Sequence, residues 1–312
     1  MSFLPSILSI LVMAEFVLGN FANGFIALVN CIDWVRRQKI SCADRILTAL
    51  AVSRIVSRIG LLWTIIFYWY SSMFYPVFYS LEVRAIVYIV WVVSNHFSLW
   101  LATSLSILYL LKIANFSCPL FPHLKWKAKR VVIMILWGTL VFLVCRLALL
   151  YVDEKLKMNE RKGNSTWETN LRDTVRLSNI TVFMLIYVIP FTVCLTAFLL
   201  LIFSLWKHLK RMLLSNKGSQ EVSTKVHVRA MLIVISFLLL LAIYFVTLIL
   251  SVWGFYNPQN IPVSLCFQIF TIAYPSGHSL ILIWGNKKLS QEFLSVTWQV
   301  RCWLKGWKPS TP

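Results

Sequence analysis

The chain is 312 residues long, 59% hydrophobic and only 13% charged, with a mean hydropathy of +0.75; a soluble chain, whose surface must face water, cannot be this apolar. Its 30 Lys and Arg against 11 Asp and Glu give a formal charge of +19, which in an integral membrane protein marks one face of a bilayer rather than a nucleic-acid partner. A soluble enzyme, a nucleic-acid binder and a secreted disulfide scaffold are set aside on these grounds.

A helix needs about 20 apolar residues to cross the hydrocarbon core. The first such run covers residues 7–32, too long for the apolar part of a cleaved signal and without a small-residue cleavage site. It reads as a retained first span behind a short N-terminus of residues 1–6. Further runs follow at 46–70, 86–111, 131–151, 180–204, 231–253 and 263–284, and residues 285–312 form a tail. The runs are continuously apolar rather than alternating, so barrel strands are excluded. The expected fold is an all-α membrane protein, a seven-transmembrane helix bundle over residues 7–284.

Between the runs the charge is one-sided. Segments 33–45, 112–130 and 205–230, with the tail, hold twenty basic residues, among them Lys112, Lys207, Lys210 and Arg211, and only the acids Asp33, Asp44, Glu221 and Glu292. The opposite segments hold seven basic residues that six acids nearly cancel. By the positive-inside rule the first set is cytoplasmic, which places the N-terminus outside and the tail inside. Asn164-Ser165-Thr166, in the long outer loop 152–179, is then placed to carry an N-linked sugar. Asn179-Ile180-Thr181 is a second sequon, while Asn115-Phe116-Ser117 falls on the cytoplasmic face, out of reach of glycosylation. The seven cysteines lie in spans or on the cytoplasmic side. No outer disulfide, metal site or cofactor is therefore expected. Cys302, on the basic Trp-rich tail, reads as either a palmitoylation site or a packed thiol.

Polar residues inside the spans are the candidate functional groups. In the third run Trp91, Asn95 and Ser98 are spaced four and three apart and share a face, with His96 and Trp100 on a neighbouring stripe. Such residues either bind a ligand in an outward-opening cavity or hydrogen-bond between helices. Glu15, Arg54, Arg58 and Arg146 are the ionisable exceptions; an Arg at bilayer depth costs roughly 2.5–3.5 kcal/mol on insertion scales. They should face the interior or snorkel, and Arg146, near the outer end of the fourth run, is expected to reach the headgroups. His278 reads as a packed, hydrogen-bonded residue, since no second metal ligand is visible.

Longer motifs narrow the class. The first run contains Gly19-Asn20-Phe21-Ala22-Asn23-Gly24-Phe25-Ile26-Ala27-Leu28-Val29-Asn30; the second opens with Lys39-Ile40-Ser41 and continues from Asp44-Arg45-Ile46-Leu47 to Val52-Ser53-Arg54. The third ends Leu108-Tyr109-Leu110-Leu111-Lys112-Ile113-Ala114-Asn115-Phe116-Ser117, where rhodopsin-like receptors carry Asp-Arg-Tyr. The seventh ends His278-Ser279-Leu280-Ile281-Leu282-Ile283-Trp284-Gly285-Asn286-Lys287-Lys288-Leu289, unlike Asn-Pro-x-x-Tyr. Over essentially the whole chain this resembles the type 2 bitter taste receptors.

The resemblance implies a plasma-membrane G protein-coupled receptor that detects bitter small molecules and activates a gustducin-type heterotrimeric G protein, gripped through basic helix ends such as Lys112, Lys207, Lys210 and Arg211. It also implies ligand contact by Trp91, Asn95, Tyr244 and Gln268. Gln268 stands where several relatives carry a Glu, so a preference for cationic alkaloids resting on that charge does not carry over. Arg54 would hold the packing against the first helix, with Asn23 as its partner, alongside His278. Binding is expected to be mostly apolar and about micromolar, around 8 kcal/mol, because the aromatic walls offer no evident charge partner.

One departure from the family stands out: Val52-Ser53-Arg54-Ile55 is followed at once by Val56-Ser57-Arg58-Ile59, where bitter receptors typically have one copy. The second copy is expected to be absorbed towards the outer end, leaving Arg54 in the family role. Three alternative classes fit less well. An intramembrane enzyme would need a nucleophile and base, or clustered carboxylates, at membrane depth, which Glu15 alone does not provide. A vomeronasal type 1 pheromone receptor would lack the motifs at Lys112 to Ser117 and His278 to Lys288. A multi-span transporter would show paired repeats with broken helices.

Overall fold

The computed structural model describes residues 3–37, 40–70, 81–114, 116, 120–160, 168–214, 221–255 and 261–305. Asn164, the expected sugar site, lies outside them. Among the described residues there are nine α-helices: α1 (Phe3–Arg37), α2 (Cys42–Tyr70), α3 (Leu81–Ile113), α4 (Leu120–Trp126), α5 (Ala128–Glu160), α6 (Glu168–Leu214), α7 (Glu221–Phe255), α8 (Ile261–Gly285) and α9 (Lys287–Leu304). Each apolar run of the sequence lies within one of the seven longest, because in hydrocarbon only the helix satisfies every backbone group within its own segment. Among the described residues five stretches are long and apolar enough to cross a membrane: Ile10–Arg36, Ala85–Ile113, Ala128–Leu156, Leu177–Arg211 and His227–Leu250. The helix α2, which carries Arg54 and Arg58 in its middle, and α8 are not among the five.

The chain divides into two compact units, residues 1–55 with 205–312, and residues 56–204. In the first, α8 packs against α1 and α7, and α9 folds back onto α8 and α1. The inward stripe of α1 is Ala22, Asn23, Ile26 and Asn30, all buried, at helical spacing with small or polar groups that let α8 come close. At Gly277 α8 lies close against α7, since a Cβ there would sit 3.1 Å from Leu240 Cδ1. Asn286 caps α9, its side chain accepting from the Lys288 and Leu289 amides. Lys288 reaches back to α1, to Asp33 at 2.6 Å and Asn30 Oδ1 at 3.1 Å. One side of α9 is thus anchored by Leu289 and the buried thiol Cys302, the packed one of its two readings, while Leu294, Trp298 and Trp303 stay exposed.

In the second unit α3 packs against α5, with the short α4 joining their ends. The two faces of α5 separate cleanly. Val132, Thr139, Leu143 and Arg146 are buried, whereas Met134, Trp137, Val141 and Val144, spaced three, four and three apart, are each more than 60% exposed. A stripe of large apolar side chains facing outward is the surface that lipid covers.

Candidate ligand-binding cleft

In the second unit α3, α5 and α6 wall a narrow cleft. Its polar and aromatic lining is Trp91, Asn95 and His96 from α3, Arg146 from α5, and Phe183 and Tyr187 from α6; Val92, Leu99, Leu143 and Ile186 complete it. The two residues singled out for ligand contact on α3, Trp91 and Asn95, both line it, and Ser98 does not. Asn95 Nδ2 donates to the Tyr187 hydroxyl at 2.8 Å, which ties α3 to α6 across the cleft. Trp91 stacks on Tyr88, with ring centroids 5.9 Å apart, and Phe183 tilts against Tyr187 at 4.6 Å. The cleft encloses about 20 Å³, room for roughly one water. A drug-sized ligand needs several hundred Å³, far more than the cleft holds with its aromatic side chains in these positions.

Two expectations are corrected here. Arg146 does not reach outward to headgroups; it is 8% exposed and turned into the protein. Its Nη1 donates to Asn179 Oδ1 at 2.8 Å and to the Asn179 carbonyl at 3.2 Å; Nη2 lies 3.4 Å from the Tyr88 hydroxyl, and the guanidinium sits 5.6 Å from the Phe183 ring centre. The cleft therefore does contain a buried charge. The same contacts place Asn179, of the second sequon, inside α6 with its side-chain oxygen engaged by Arg146. His96 is buried, and its ring nitrogens lack a partner at bonding geometry among the described residues, with the Thr139 backbone as a polar neighbour. Among the described residues no three His, Cys, Asp or Glu side chains cluster as a metal site requires.

In the first unit Asn23, Arg54 and His278 meet in one network, but through a residue that the sequence did not single out. Arg54 Nη1 donates to Ser279 Oγ at 2.8 Å and approaches His278 Nδ1 at 3.2 Å. Ser279 Oγ in turn has Asn23 Oδ1 and the Pro275 carbonyl at 2.8 Å. Asn23 is thus reached by way of Ser279 rather than directly. Arginine has no acceptor, so Nδ1 must be the unprotonated nitrogen and His278 carries its proton on Nε2. The ring lies 4.6 Å from Phe237. Tyr244 is buried and stacks on Tyr274 at 4.6 Å. Gln268 falls in α8, with its side chain outside the described residues.

The family model for taste receptor protein (TAS2R) matches residues 1–301. The chain belongs to the type 2 taste receptor family, the bitter taste receptors. It is 58% identical over 310 residues to a putative taste receptor type 2 member 33 of Homo sapiens, with 99% of each chain covered. It is 57% identical over 311 residues to taste receptor type 2 member 46 of Pan paniscus, covering 100% of this chain and 99% of the other. To taste receptor type 2 member 20 of Homo sapiens it is 57% identical over 313 residues, with both chains fully covered. These relatives are receptors, not enzymes, and this chain is a membrane receptor of the same family.

On this taste receptor Lys112, Lys207, Lys210 and Arg211 are all exposed, with Lys210 lying 5.6 Å from the Trp206 ring centre. Arg229 near the start of α7 donates to the Trp284 carbonyl at 3.1 Å and lies over the Trp284 ring, joining the ends of α7 and α8. Sequence reasoning missed Tyr187 and Ser279 and misplaced Arg146. For Arg146 a signal existed: the outward stripe at 134, 137, 141 and 144 leaves position 146 on the opposite face.

Proposed function

We propose that this chain is a seven-span G protein-coupled receptor of the plasma membrane, with its N-terminus outside and its tail in the cytoplasm. It detects bitter small molecules in the α3–α5–α6 cleft and activates a gustducin-type heterotrimeric G protein. The observation that carries the reading is that Trp91 and Asn95, selected from sequence for ligand contact, wall one cleft with Tyr187. That arrangement sits in a chain whose whole length aligns with taste receptors. Tyr244 on α7 and Gln268 on α8 do not line this cleft and are proposed as ligand contacts on the family resemblance alone. The orientation rests on the excess of Lys and Arg between alternate runs. Asn164 is the sugar site, on the outer loop. Asn23, Arg54 and His278, joined through Ser279, set the packing of α1, α2 and α8. The exposed Lys112, Lys207, Lys210 and Arg211 form part of the surface for the G protein, whose approach their positive charge favours.

The test is a calcium assay in cells that co-express the receptor with a chimeric G protein, challenged with a panel of bitter compounds. A response that depends on the receptor and the G protein supports the reading. A receptor labelled at the cell surface yet silent to the whole panel overturns it.

A further inference from the structure

Among the described residues lining the cleft, Arg146 is the one that carries a fixed charge, and no carboxylate lines it. Its partners are neutral: a side-chain amide, a backbone carbonyl, a phenol and an aromatic face. Desolvating a guanidinium without a counter-ion is costly, and hydrogen bonds to neutral acceptors offset only part of that cost. Both close bonds are made by Nη1. Nε–H has no hydrogen-bond acceptor among the described residues, and Nη2 has only the 3.4 Å contact with Tyr88. These two adjacent nitrogens are the edge of a guanidinium that takes a carboxylate with two parallel bonds. Asn179 holds the group in place by Nη1, so little side-chain entropy remains to be lost when an anion arrives. His96, buried on the α3 wall with unsatisfied ring nitrogens, supplies a further N–H. The remaining lining is aromatic and aliphatic, suited to an apolar body.

We propose that Arg146 makes this cleft a site for organic anions, with agonists that carry a carboxylate on an aromatic or aliphatic body. The proposal rests on reading the cleft as the agonist site. It replaces a purely apolar recognition with an apolar slot read by one cation at its wall.

The experiment uses the calcium assay with matched probes, 2-naphthoate and 4-biphenylcarboxylate, each beside its uncharged methyl ester, together with a panel of neutral bitter compounds. Surface receptor is quantified for every variant, and cells without receptor serve as background. The wild type is expected to respond to the acids at lower concentration than to the esters. Arg146→Gln should raise the half-maximal concentration of the acids by at least about tenfold, as expected for loss of a charge-assisted pair, with the neutral compounds shifted far less. Because Arg146→Gln also loosens Asn179, a second variant keeps the packing. Asn179→Asp places an internal carboxylate against Nη1 and should weaken the acids selectively. Acid responses unchanged in both variants at equal surface level overturn the proposal. So do acids that fail on a receptor answering to neutral compounds, an outcome that leaves the agonist-site reading intact. Silence to acids and neutral compounds alike, at normal surface level, removes that reading and the proposal together.

Discussion

Arg54 and Ser279 lie 225 residues apart in the chain and are joined by a hydrogen bond of 2.8 Å between Nη1 and Oγ, both side chains fully buried. The serine is a relay: it accepts from the cation of α2 and has the Asn23 amide oxygen of α1 as an acceptor for its own proton. Removing it strands a buried donor on a charged group, for which about 1–3 kcal/mol is typical. Ser279→Ala should therefore lower the melting temperature of the detergent-solubilised receptor and the fraction that reaches the cell surface. Ser279→Thr, which keeps the hydroxyl, should be milder. Equal behaviour of the two variants would mean that the hydroxyl contributes nothing.

The helices of this receptor were legible because continuous apolarity over about 20 residues has one solution in lipid. The face of α3 that bears Trp91 and Asn95 was legible too, since spacing fixes which residues share a side. What meets that face was not. Tyr187, the partner of Asn95, is 92 positions away, and periodicity on one helix carries no information about its neighbour. Arg146 was misread for a related reason: an arginine near the end of an apolar run can snorkel or turn inward, and here Asn179, on a different helix, supplies two acceptors for the inward choice.

The Asn95–Tyr187 bond yields a prediction with two arms. Trp91→Ala and Asn95→Ala should abolish or strongly reduce the agonist response while surface expression is kept, because each removes a wall of the cleft and neither empties a tightly packed core. Tyr187→Phe should keep expression and shift agonist potency by about fivefold to tenfold, on the order of 1 kcal/mol, the scale of one neutral hydrogen bond. Responses that fall only in proportion to the amount of receptor at the surface would assign these residues to packing instead.

The ion pair of Lys288 with Asp33 should behave differently from the Arg54 network despite its 2.6 Å length, because its partners are 31% and 25% exposed. Partly solvated pairs contribute at most about 1 kcal/mol and weaken with salt. Lys288→Ala should leave the melting temperature of solubilised receptor nearly unchanged. A drop as large as that of Ser279→Ala would show that anchoring α9 to α1 matters more than solvent screening allows.

The tandem repeat in α2 gives the last prediction. The helix runs unbroken from Cys42 to Tyr70 through both copies, so the extra residues are taken up as one more turn, about 6 Å of rise and about 40° of net rotation. Arg54 and Arg58 are both buried, and it is Arg54, in the first copy, that engages Ser279 and His278. Removing Val56 to Ile59 yields the same sequence as removing Val52 to Ile55, so the single-copy chain keeps one arginine at the Arg54 position, and everything beyond it moves back by a turn. That chain should retain the Arg54 network, reach the surface at least as well as the parent, since one arginine fewer must be buried at bilayer depth, and show an altered agonist profile. Point substitutions separate the two copies, which the deletion cannot. Arg54→Ala should lower surface level and thermal stability more than Arg58→Ala, because it also strands Ser279 and His278. If Arg58→Ala proves the more damaging, the second copy holds the structural arginine, and the contact of Arg54 with Ser279 is incidental to stability.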